Sequence, residues 1–191
     1  MANVRLFLNL FDSLVQPVLL YGCEIWGSHC LNTNNRVITF VNKFYKTLLG
    51  VKQRCSNAGV LCELGRFPIE LNIAKAMIKY WFRLTSMPTN RLSAHCYWSL
   101  FNLEGLKDHW FESIKSIIYT TGQYDVWTNQ VNFIFSSKHL LSKQQNFIIQ
   151  TLKDVYTQFA ESKINAESKL YLFRNDANTR TISNYLTSLH G

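Results

Sequence analysis

Eight glycines and three prolines are all the turn punctuation that the 191 residues contain. An all-β chain needs a turn signal every ten residues or so, and such turns draw on Gly for positive φ and on Pro for a fixed one. This chain does not hold enough of either, so it must be built from long elements with few breaks. With 47% of its residues apolar it can also bury a substantial core, and nothing in it has the low hydrophobicity of a disordered chain. The expected fold class is all-α, a multi-helix bundle.

Apolar spacing places the helices. From about Val4 to Leu20, Leu6, Leu10, Leu14 and Val18 recur at helical intervals, with Tyr21 following and Pro17 as a kink or break. A second helix begins after Asn34 or Asn35 as N-cap, carries Val37, Phe40, Val41, Phe44, Tyr45 and Leu48 on one face, and ends at Gly50. Arg36, Lys43 and Lys46 fall outside that face. The clearest amphipathic segment is Pro68 to Ser86, with Pro68 at its first position. At 100° per residue, Ile73, Ala74, Met77, Ile78, Trp81 and Leu84 share one arc, and Lys75, Lys79 and Arg83 stand at i, i+4 and i+8 on the other. Further helices are expected near 91–102 and 107–120. Asn129 to Phe135 alternates partly as a strand does, and Ser136 or Ser137 caps a long helix to about Ile164. The expected division is a helical region over 1–90 and a helical extension over 91–191.

Charge is distributed unevenly. The formal excess of +8 lies entirely within residues 36 to 91, where Glu63 and Glu70 are the only acidic side chains. A localised positive field attracts phosphate backbones and anionic surfaces, and its effect falls with salt. The longest stretches free of Asp, Glu, Lys and Arg, 92–103 and 126–137, are too short for a membrane-spanning helix. The N-terminal residues match a secretory signal poorly. Cys23, Cys30, Cys55, Cys62 and Cys96 are an odd number, which reads as reduced, buried small hydrophobes in an intracellular protein, nuclear or cytoplasmic. The C-x6-C spacings of Cys23/Cys30 and Cys55/Cys62 are not a zinc arrangement, so no metal or cofactor is expected. No glycine-rich phosphate loop and no G-x-S-x-G elbow occurs.

Four motifs follow one another in order. Leu10-Phe11-Asp12-Ser13-Leu14-Val15-Gln16-Pro17-Val18-Leu19-Leu20-Tyr21-Gly22-Cys23-Glu24-Ile25-Trp26-Gly27 is followed by Phe44-Tyr45-Lys46-Thr47-Leu48-Leu49-Gly50-Val51, then Glu63-Leu64-Gly65-Arg66-Phe67-Pro68, then Lys79-Tyr80-Trp81. The series, over roughly residues 5 to 85, closely resembles the region that follows the polymerase palm in non-LTR (LINE-type) retrotransposon reverse transcriptases. Ser168-Lys169-Leu170-Tyr171-Leu172-Phe173 is similar to a short motif late in such reading frames. The resemblance implies a helical thumb in the N-terminal half and a connector beyond it, the part of such a polymerase that grips the template–primer duplex. It does not imply catalysis, because polymerases of this type hold two magnesium ions through an Asp-Asp pair, and no Asp-Asp occurs here. Asp12 and Glu24 read as surface or capping groups. The palm, the endonuclease and the downstream Cys/His cluster of such polymerases are not among these residues.

The expectation is therefore a region of an RNA-directed DNA polymerase that is inactive alone and binds RNA–DNA hybrid or duplex DNA without sequence preference. Its candidate contacts are Lys43, Lys46, Arg66, Lys75, Lys79 and Arg83, placed to follow phosphates rather than read bases. Lys52 and Arg54, like Arg66, flank turns. A palm is the expected protein partner, and an exposed apolar patch near residues 6 to 27 is what its interface would leave. Two other readings stay open: a helical module whose basic face meets an acidic partner or anionic surface, and a transposon remnant with no function of its own.

Overall fold

The computed structural model describes residues 4–32, 35–103 and 109–166. All regular structure among them is helical. In chain order the α-helices are α1 (Val4–Leu10), α2 (Gln16–Leu19), α3 (Cys23–Asn32), α4 (Arg36–Leu48), α5 (Asn57–Glu63), α6 (Ile69–Thr85), α7 (Leu92–Phe101), α8 (His109–Thr120), α9 (Tyr124–Thr128) and α10 (Lys138–Ala166). A π-helical turn, Phe11–Val15, joins α1 to α2, and a 3-10 helix, Gln130–Phe135, follows α9. The late motif Ser168–Phe173 lies outside the described residues.

The chain forms two compact units that do not follow chain order. Among the described residues, one comprises 4–21, 35–71 and 154–166, the other 22–32, 72–103 and 109–153.

In the first unit the core is Leu8, Phe11, Val41, Tyr45, Val60, Leu64 and Ile69. Phe11 stacks on Phe44 with ring centroids 4.5 Å apart. The segment expected as one helix or two short ones, kinked or broken at Pro17, is three pieces, and Pro17 supplies the reason. Proline has no N–H to give the carbonyl four residues back, and its ring crowds that carbonyl. The ladder widens just before it, so that the Gln16 N–H reaches back five residues to the Phe11 carbonyl. Asn35 caps α4, its side-chain oxygen accepting from the Val37 N–H at 2.8 Å. At the other end Gly50 takes φ +67°, its N–H donating to the Thr47 carbonyl and that of Val51 to the Lys46 carbonyl. That paired bonding satisfies the last carbonyls of the helix and needs a left-handed residue, which glycine adopts without strain.

The second unit is organised around the larger part of α6. Ile73, Met77, Ile78 and Trp81 are fully buried, and Phe82 and Leu84 nearly so. Gly27 of α3 faces Ile73 and Met77 so closely that a Cβ there would collide with the Ile73 side chain. The Trp81 Nε1–H donates to the Tyr97 hydroxyl at 2.9 Å, that hydroxyl donates to the Gln130 side-chain oxygen, and Gln130 Nε2 donates to the Trp127 carbonyl. Gln130 therefore sits at 0% exposure with its amide satisfied. The strand expected over 129–135 is replaced by helix. Gln130 and Phe133 are buried while Val131 and Asn132 are exposed, a period of three that suits a 3-10 turn, and Phe133 stacks on Phe82 at 5.5 Å. The long helix α10 begins where expected, the Ser137 Oγ accepting from the Leu140 N–H at 3.3 Å.

The cysteines divide. Cys23 and Cys62 are buried, as expected of small hydrophobes, but Cys55 and Cys96 are exposed. Cys55 lies in the turn after α4, and Cys96 lies on α7 between the buried Ala94 and Tyr97.

Candidate nucleic-acid interface

The α6 stripe takes the form its spacing implies. The apolar arc is sealed, and on the opposite side Lys79 and Arg83 are exposed one turn apart. Neither forms an ion pair with another described residue. Lys75, one turn earlier, is half-buried. Burial first, then the like charges of Lys153 and Lys79, lower its pKa. Lys153 belongs to α10, 78 positions away in sequence, and joins the cluster only through the fold of this unit. No spacing rule could have found it.

The first unit treats its three candidates differently. Lys43 is exposed on α4. Lys46 is 8% exposed, and its Nζ donates to the Gln53 carbonyl at 2.9 Å. Its ammonium thus ties the 50–53 turn to the helix end. Arg66 follows Gly65, which takes φ +62° to close α5, and the Arg66 N–H donates to the Leu61 carbonyl. That exit directs the guanidinium onto Asp12: Nη1 to Oδ1 is 2.9 Å and Nη2 to Oδ2 is 2.6 Å. The two-pronged geometry is the strong form of such a pair. Asp12, read from sequence as a surface or capping group, is its partner. Lys52 and Arg54 are exposed.

Residues 6–21 carry the apolar face expected of an interface. Leu6, Phe7, Leu10, Leu14, Val15, Val18 and Tyr21 are all exposed, Val18 at 75% and Tyr21 at 86%. Beyond them, Ile25 of the second unit is also exposed.

A cavity of about 150 Å³ in the first unit gathers titratable groups, among them Cys62, Arg66, Glu70, Tyr156 and Lys163. Burial raises the Glu70 pKa, opposed by a hydrogen bond with its own backbone and by Lys163. Burial and then Glu70 push the Tyr156 hydroxyl up to about 12, and burial and then Glu161 push the Cys62 thiol up to about 11. A thiol held there is a poor nucleophile at neutral pH. Among the described residues no group of three or more His, Cys, Asp and Glu side chains is placed to hold a metal ion, and no single helix is long and apolar enough to cross a membrane. Compared with known proteins, the chain matches no protein-family model, no curated protein and no solved structure.

Proposed function

We propose that this chain is the thumb-and-connector part of a LINE-type reverse transcriptase, supplying no catalytic carboxylates of its own and gripping template–primer duplex through backbone phosphates. One observation carries the reading. Lys79 and Arg83 stand exposed and without an ion pair among the described residues, beside a half-buried Lys75 whose charge is opposed first by burial and then by Lys153 and Lys79. A cluster of like charges costs free energy that a phosphate relieves, and cations one turn apart on a rigid helix follow a backbone rather than a base edge. Lys43, exposed on α4 of the first unit, is a separate candidate contact. Lys46 and Arg66 act from within, one fixing a turn and the other holding Asp12.

The exposed apolar face over residues 6–21 supports a second contact, with a protein surface such as a palm. It is separate in chemistry from the cationic set, having no charged side chain among its seven exposed members.

Binding of a fluorescent RNA–DNA hybrid over a range of salt tests the proposal, with the Lys75→Glu/Lys79→Glu/Arg83→Glu variant beside the native chain. A log–log slope of about −2 to −4 in the native chain, with binding lost in the variant, is the expected result for a few phosphate contacts. Native-like binding by the variant places the interface elsewhere. No binding at low salt by the native chain leaves the charge as a solvated surface.

A further inference from the structure

The second unit contains a cavity that the duplex-binding reading does not use. It measures about 450 Å³ and lies among α3, the C-terminal half of α6, α7 and the start of α8. That volume falls within the range of ligand pockets, about 300–1,000 Å³.

Tyr80, Tyr97, Trp110 and Phe111 form its aromatic wall, with Ile25, Leu84 and Leu100 beside them. Trp110 stands edge-on to Tyr80 at 82°, to Tyr97 at 84° and to Phe111 at 87°, with centroid distances of 6.2, 6.4 and 5.5 Å. Tyr80, Trp110 and Phe111 are half-buried, so each keeps open surface. Rings set perpendicular to one another offer an inserted flat ring both a face and an edge, the two arrangements aromatic pairs prefer. An aliphatic chain would forgo that gain. The Tyr97 hydroxyl is occupied between Trp81 and Gln130, and the Trp110 Nε1–H donates to the Glu24 carbonyl at 2.7 Å. These two side chains are therefore fixed in place by their polar ends.

Polar groups line the same cavity from two helices: Ser28 and His29 from α3, Ser93 and Cys96 from α7. On α7 the exposed Ser93 hydroxyl meets only the weak acceptor Met87 Sδ, at 3.4 Å, and with the exposed Cys96 thiol it can turn to the edge of a ring. Among the described residues no Asp, Glu, Lys or Arg lines it, so a charged ligand would meet no counter-charge from them on being desolvated, which is costly.

We infer that this cavity binds an uncharged planar heteroaromatic ring, with Tyr80, Trp110 and Phe111 packing on the ring and the Ser93 and Cys96 side chains of α7 meeting its polar edge. Such a ring has two sources, a free nucleoside-like molecule or an unpaired base in a single strand.

Cys96 is exposed and lines the cavity, whereas Cys55 is exposed in the other unit. Site-resolved thiol modification therefore carries its own control. Adenosine, oligo(dA) and an oligomer of abasic residues serve as probes. The expected result is that adenosine, oligo(dA) or both slow modification of Cys96 and leave Cys55 unchanged, by about tenfold at ten times the dissociation constant. Protection by adenosine identifies a free ligand as sufficient, and protection by oligo(dA) alone identifies a strand-borne base. Ser93→Trp, which places an indole at an exposed position over the cavity, and Tyr80→Leu, which removes one wall, should each abolish the protection while far-UV circular dichroism stays native. Cys96 reactivity unmoved by adenosine and oligo(dA), equal protection by the abasic oligomer, or undiminished protection in both variants overturns the inference. Each result is independent of the hybrid titration, since the α6 cations are left intact.

Discussion

Phe11 and Leu14 are neighbours in one helical stretch and meet opposite fates: Phe11 is 2% exposed and stacked on Phe44, Leu14 is 65% exposed. Truncating the first removes ring contacts and leaves a cavity, so Phe11→Ala should cost about 3–5 kcal/mol in urea unfolding, whereas Leu14→Ala should stay within about 0.5 kcal/mol. A large loss at Leu14 would mean that its face is covered in the isolated chain. Glu70 gives a prediction in pH. Burial holds its folded-state pKa above the ordinary carboxylate value, so the folded state binds this proton more tightly than the unfolded one. Its contribution is fully present below the unfolded pKa and is lost as pH rises through the folded one. Glu70→Gln should therefore gain stability relative to the native chain between pH 4 and pH 7. Thermal melts at the two values check this, and a difference independent of pH would refute it.

Among the elements, those with local signals at both ends were legible from sequence. Asn35 and Gly50 bracket α4, Ser137 opens α10, and the apolar arc of α6 names its buried side residue by residue. The Asn35 cap is testable: Asn35→Ala should cost about 1 kcal/mol, read as a shifted urea midpoint with unchanged slope. What could not be read depended on distant partners. The burial of Gln130 needs Tyr97, and the position of Phe133 needs Phe82. Polar and apolar residues therefore enter the core at a period of three that a hydropathy pattern registers as irregular alternation. The same limit applies at the candidate interface. Lys79 and Arg83 were legible because they share a helix face. Lys153 joins Lys75 from another helix, and Arg66 meets Asp12 across 54 positions. Lys46 had the right spacing for the cationic face, yet Gln53 draws its ammonium inward.

At the scale of the whole molecule, a net charge of +8 lies within residues 36 to 91, and that field alone does not distinguish a duplex from an acidic protein. Rigidity does. A duplex presents its phosphates at fixed spacing, about one charge per 1.7 Å of axis, whereas a flexible polyanion must lose chain entropy to match side chains fixed on a helix. At equal concentrations of anionic charge and equal salt, unlabelled duplex should displace bound hybrid at a concentration about tenfold or more below that of polyglutamate, a difference of about 1.4 kcal/mol. Duplexes of permuted sequence should compete equally, because contacts to phosphates carry no sequence information. Equal displacement by polyglutamate would favour an acidic protein as the partner of the basic face. The exposed cations of α6 would then be an anchor for side-chain carboxylates, and the Lys75→Glu/Lys79→Glu/Arg83→Glu variant would lose that partner instead of the hybrid.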